Sequence, residues 1–356
     1  MADEKFRFFS FSLLNLDFLD YLCISMILDV ARHKFVEGLV FLALTSLAAM
    51  VAAFLHPADG ALLLSEGVGV APLRPLLDGF VAENPVISSL MVMPLFCVAV
   101  LRLSRATVRF SLYPSATVAA IALCSLVLLA LLPCESMFNS LLVVFFTAES
   151  LGRLLGCFGL NMRPSRLFAS MFFLGVLPLL DSSLVVVAVV LPLLVILMRR
   201  TLRETVIVVF GVLTPLFTYC YVVWCLGGDF LDAAYHLFFN VLLPAESPVL
   251  NYLSLPRVVM LGVLLLMQLA ASLFYVSDRM TLNIAARNVW VVLQTILLVF
   301  IVSFVLLPST SEASVLVVVM TLLPMLPLFF LRLPALLSLF SFVVFTLLSV
   351  ATFVLC

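Results

Sequence analysis

The chain alternates between long stretches with almost no charge and short polar breaks, and the stretches are mostly of membrane-spanning length. A helix needs on the order of 20 apolar residues to cross a hydrocarbon layer, because no water is available there to satisfy its backbone groups. By that rule there are about eleven membrane segments. They run over 36–55, 86–101, 115–132, 137–152, 167–180, 183–198, 205–226, 256–276, 289–307, 313–331 and 334–355. The second, fourth, fifth and sixth are short, which predicts tilted, half-inserted or re-entrant pieces among them. The expected fold is an all-α polytopic transmembrane helical bundle.

The first 35 residues break the pattern: Phe and Leu alternate with Asp17, Asp20 and Asp29. Acidic groups are costly at mid-bilayer, so this stretch reads as an amphipathic segment on the cytoplasmic face, with one further spanning helix as the alternative. Residues 36–356 then form a single transmembrane domain with two longer outer loops, at about 56–85 and 227–256. Gly and Pro divide the first loop into short surface helices. In the second, a stretch from Asp229 predicts an amphipathic helix with Asp229, Asp232 and His236 on a polar stripe. No soluble domain and no internal repeat of the transporter kind is legible.

Charge fixes the expected orientation. With the N-terminus in the cytoplasm, 16 of the 18 Lys and Arg residues fall in cytoplasmic breaks, and only Arg74 and Arg257 fall outside. The opposite orientation inverts that split, so the positive-inside rule predicts a multi-pass protein of the cell inner membrane with a cytoplasmic N-terminus. The first membrane segment is expected to act as the targeting signal, since no cleavable leader pattern precedes it. A net charge of −1 points to no nucleic-acid partner. The 8 Cys residues include no CxxC, which argues against a zinc or haem site, and no cofactor is expected. Cys134 and Cys225 fall toward the outer face, where packing as single thiols is expected over a disulfide between them.

Candidate chemistry is sparse. Glu149 lies four residues before Arg153, within salt-bridge reach on one helix face, and reads as a structural ion pair anchoring a helix end. Asp181, followed by Ser182 and Ser183, resembles a helix N-cap, or else a carboxylate facing a polar substrate or metal. In the first outer loop Asp59, Glu66, Asp78 and Glu83, with His56 nearby, could serve as a general base or hold a divalent metal; Asp59 is the weakly preferred catalytic candidate beside Asp181. Arg74 and Arg257 read either as lipid-phosphate contacts or as side chains snorkelling to the headgroups. Gly211 and Thr214-Pro215 predict a kink in their helix.

Several short motifs resemble an uncharacterised integral membrane family of Bacteroidota. They are Tyr113-Pro114 and Phe138-Asn139, each opening a helix, then Gly175 to Asp181, Arg203-Glu204 after a basic turn, and Gly211 to Pro215. The resemblance covers about a third of the chain and implies membership without an activity. The layout of a first helix, a long outer loop and short helices joined by basic turns is also similar to GT-C glycosyltransferases that use polyprenyl-phosphate-linked sugars. Those enzymes place an acidic residue early in the first outer loop, often paired with another; Asp59 stands there alone. The expected role is an accessory or assembly factor in cell-envelope biogenesis, with a GT-C-like transferase and a transporter as alternatives. Expected partners are membrane lipids and an envelope protein or polyprenyl-phosphate lipid.

Overall fold

The computed structural model describes residues 35–55, 71–110, 112–113, 119–133, 136–158, 163–199, 201–239, 253–306 and 311–355. The N-terminal amphipathic segment, most of the first outer loop with Asp59, Glu66 and His56, and Cys134 lie outside them. Among the described residues the fold is all-α.

The helices are α1 (Phe35–Leu55), α2 (Arg74–Glu83), α3 (Pro85–Arg109), α4 (Ala119–Leu131), α5 (Met137–Leu155), α6 (Pro164–Leu180) and, after a 3-10 turn at Ser182–Leu184, α7 (Val185–Arg199). Then come α8 (Leu202–Cys225), α9 (Phe230–Phe239), α10 (Leu255–Asp278), α11 (Ile284–Leu306), α12 (Glu312–Leu322), α13 (Pro327–Arg332) and α14 (Ala335–Leu355). Each predicted segment has its helix, but among the described residues 8 stretches are long and apolar enough to cross a membrane, not about eleven. The three that fall short are α4, α6 and the helix starting at Ser182. At 1.5 Å per residue the 17 residues of α6 rise only about 26 Å, against a hydrocarbon thickness of about 30 Å.

The outer surface is the inverse of a soluble protein's. Leu44, Leu266, Leu273, Phe340 and Leu347 are all widely exposed. Such faces belong against acyl chains, since in water they would form apolar patches far larger than a soluble monomer tolerates. Many polar side chains are turned inward instead, where Ser and Thr hydroxyls bond to carbonyls of their own helix, as Thr45 and Thr107 do at 2.8 and 2.7 Å.

Two elements are enclosed by protein. Every residue of α4 is buried, packed by α1, α3 and α14. The stretch Glu312–Arg332 is 83% buried and is broken at 323–326, between α12 and α13, where Pro324 and Pro327 interrupt the ladder. The sequence reads there as one continuous apolar segment; the break leaves carbonyls without helical partners. The Tyr113 hydroxyl donates to one of them, that of Pro324. Burial pushes the Tyr113 phenol well above its ordinary value, with Cys124 adding to the effect and Thr107 opposing it.

The chain shuttles between two ends. Trp290 stacks on Tyr275 at 4.7 Å and donates its indole N–H to Leu112, so the C-terminal end of α10 and the start of α11 lie beside the end of α3. Alternation of the helices then brings every described arginine except Arg74 and Arg257 to this basic end. At the opposite end the Leu73 amide bonds the Leu179 carbonyl at 2.9 Å, tying α2 to α6.

Candidate functional site

The basic end carries a pocket between α3, α5 and α6. On α3, Arg102, Arg105 and Arg109 recur at intervals of three and four residues and therefore share one face. On α5, Glu149 and Arg153 stand one turn apart, and Gly152 and Gly156 on the same side keep the wall low. A side chain on Gly156 would meet the Arg153 carbonyl at 3.2 Å and Arg166 Nη1 at 3.7 Å. Arg166 comes from the first turn of α6. Together these enclose a cavity of about 300 Å³ lined by five arginines and one glutamate.

Glu149 organises the pocket. It is only 5% exposed, and its two oxygens serve two helices: Oε1 accepts from Arg102 Nε on α3 and Oε2 from Arg153 Nε at 3.1 Å on its own helix. Both bonds use Nε, so neither engages a terminal guanidinium nitrogen, and both arginines line the cavity. The Arg153 guanidinium also lies 4.7 Å above the Phe173 ring, fixing its plane. Arg105 and Arg166 have no carboxylate partner among the described residues. Arginine stays charged at any accessible pH, so the pocket holds a permanent excess of positive charge. Arg109 and Arg153 sit at helix C-terminal ends, where the backbone dipole tolerates such crowding.

The opposite end holds the other candidates in separate polar clusters. Asp181 caps the turn into α7: it accepts from the Ser183 amide at 3.0 Å, from the Ser183 hydroxyl at 2.7 Å and from the Ser311 hydroxyl at 3.0 Å. It thereby ties the start of α7 to the start of α12. Arg74 is largely exposed, 3.8 Å from Asp78. Arg257 points inward instead of to the surface. Its side chain is 10% exposed, with Nη1 3.5 Å from Glu312 and Nη2 donating to the Leu132 carbonyl at 3.4 Å.

Asp78, read as one of the loop carboxylates, is buried and accepts from Asn139 at 2.5 Å. Cys225 is a free, exposed thiol. Among the described residues no group of three or more His, Cys, Asp and Glu could hold a metal.

By sequence the cytoplasmic arginine clusters, those of α3 among them, read as orientation signals that can also touch anionic lipid headgroups. The spacing of the α3 arginines on one face was the available sign of a site; that Arg102 meets Glu149 was not, since the two are 47 positions apart. Comparison with family models, with curated proteins and with solved structures gives no match.

Proposed function

We propose that the chain is a multi-pass protein of the inner membrane, with its basic end in the cytoplasm, that serves envelope biogenesis as a non-catalytic accessory protein by holding an anionic lipid headgroup. The observation that carries this reading is the arginine pocket: five guanidiniums around one buried carboxylate, at the rim of a bundle whose sides are made for acyl chains. A lipid with its chains along the apolar faces of α3 and α6 would bring its phosphate to this depth. Charge-assisted bonds from guanidinium to phosphate are among the strongest available to a protein, and a site at the membrane edge screens them less than open water does.

The paired state of the acidic groups at the opposite end supports binding over catalysis. Asp78, Asp181 and Glu312 are each engaged with a neighbouring side chain. A GT-C-like transferase would draw its base from Asp59.

Mass spectrometry of lipids and proteins that leave the membrane with the gently purified protein tests the reading. An anionic lipid enriched over the surrounding membrane, and lost from the Arg105→Gln, Arg166→Gln double variant, is the expected result. Bulk lipid composition unaffected by the variant would overturn it. A lipid-linked sugar, with transfer abolished by Asp59→Asn, would establish the transferase instead.

A further inference from the structure

We infer that the pocket selects a terminal phosphate, a phosphomonoester or diphosphate group, over a phosphodiester headgroup, and that Glu149 is the positioning residue that sets this preference. The inference rests on the anion-binding reading of the pocket and concerns which phosphate it takes.

Charge comes first. Five arginines against Glu149 leave four positive charges in excess around about 300 Å³. A phosphodiester brings one negative charge, and in common zwitterionic headgroups an ammonium travels with it. A phosphomonoester carries roughly −1.5 to −2 near neutral pH, and a terminal diphosphate more. The groups with more charge match the excess; the diester leaves most of it uncompensated.

Geometry points the same way. Because Glu149 accepts from the Nε of both Arg102 and Arg153, it gathers two planar guanidiniums from different helices at one carboxylate, with neither bond using a terminal nitrogen. A terminal phosphate has three unsubstituted oxygens and can accept from both while a third oxygen faces Arg105 or Arg166. A diester has two such oxygens, and its second ester arm would occupy the mouth of the pocket. Removing Glu149 adds net positive charge yet frees both arginines from their shared anchor, so it should weaken selection more than attraction.

The experiment uses the full chain in nanodiscs of phosphatidylcholine containing equal fractions of phosphatidic acid, a phosphomonoester, or phosphatidylglycerol, a diester. Native mass spectrometry reads the lipid retained. Phosphatidic acid should be retained about tenfold better, the ratio that roughly one additional charge-assisted bond provides. In Glu149→Gln this preference should fall to about twofold or less while phosphatidylglycerol retention holds or rises, which a merely structural role for Glu149 would not produce. Arg105→Gln and Arg166→Gln, which break no ion pair among the described residues, should each lower phosphatidic acid retention several-fold.

Equal retention of both lipids would overturn the selection and leave the lipid-binding reading standing. Retention of neither lipid, with thermal protection by inorganic diphosphate that Arg166→Gln abolishes, would assign the terminal phosphate to a soluble ligand and overturn the lipid source. No response to any of the three probes would overturn both.

Discussion

Gly175 on α6 lies so close to the Val212 carbonyl oxygen on α8 that a methyl group in its place would overlap that backbone atom. The contact is reciprocal: a side chain on Gly211 would stand 2.6 Å from the Met171 Cβ, and one on Gly175 would stand 2.6 Å from the Pro215 Cγ. Two helices that approach this closely are held by backbone-to-backbone packing, the usual means of association where lipid removes the hydrophobic drive. Gly175→Ala should therefore cost about 1–3 kcal/mol. Lowered thermal stability in detergent, with α6 and α8 loosened at a cysteine pair across them, checks it.

Glu149→Ala removes a carboxylate that joins α3 to α5. Losing a partner from a buried pair costs about 3–5 kcal/mol, but Arg102 and Arg153 are 44% and 36% exposed and can rehydrate, so about 1–3 kcal/mol is expected. In a double-mutant cycle with Arg102→Met, the second substitution should cost much less in the Glu149→Ala background than alone.

Tyr113→Phe leaves the Pro324 carbonyl without its donor inside the bundle, at a cost of about 1–3 kcal/mol. The wild-type chain carries a pH signature as well. The Tyr113 phenol is raised above its unfolded value of 10.0, so its contribution to stability is complete below that pH and is lost as pH rises from there toward the folded value. Thermal melts should fall more steeply with alkali in the wild type than in Tyr113→Phe.

Orientation is accessible to labelling. In a background without Cys225, a cysteine at Asp232, exposed on α9, should react with a membrane-impermeant reagent from the outside of spheroplasts. One at Thr201, between α7 and α8, should react only after permeabilisation. The reverse pattern would place the basic end outside and remove the inner-leaflet site.

The residues show how far a sequence carries here. Apolar runs marked a helix for each predicted segment but overcounted those long enough to span, because composition is easier to read than where a helix ends. They did not mark which helices face lipid: leucine suits acyl chains and protein neighbours equally, so α4 looked like any other span although every residue in it is buried. The pair of Glu149 and Arg153 was legible from its one-turn spacing. Asp78 was not, since its partner Asn139 lies 61 positions away and turns a surface carboxylate into an interior one. The break after α12 had its signal in Pro324 and Pro327, masked by unbroken hydrophobicity on either side.

The enclosure of α4 has a consequence during synthesis. Its wrapping includes α1 and α3, made before it, but also α14, which begins about 200 residues after α4 ends. At ribosomal rates of roughly 5–20 residues per second, that partner arrives some ten to forty seconds late. Through that interval the flank of α4 that α14 covers is unclothed, and the nascent chain depends on the insertion machinery to shelter it until α14 is delivered.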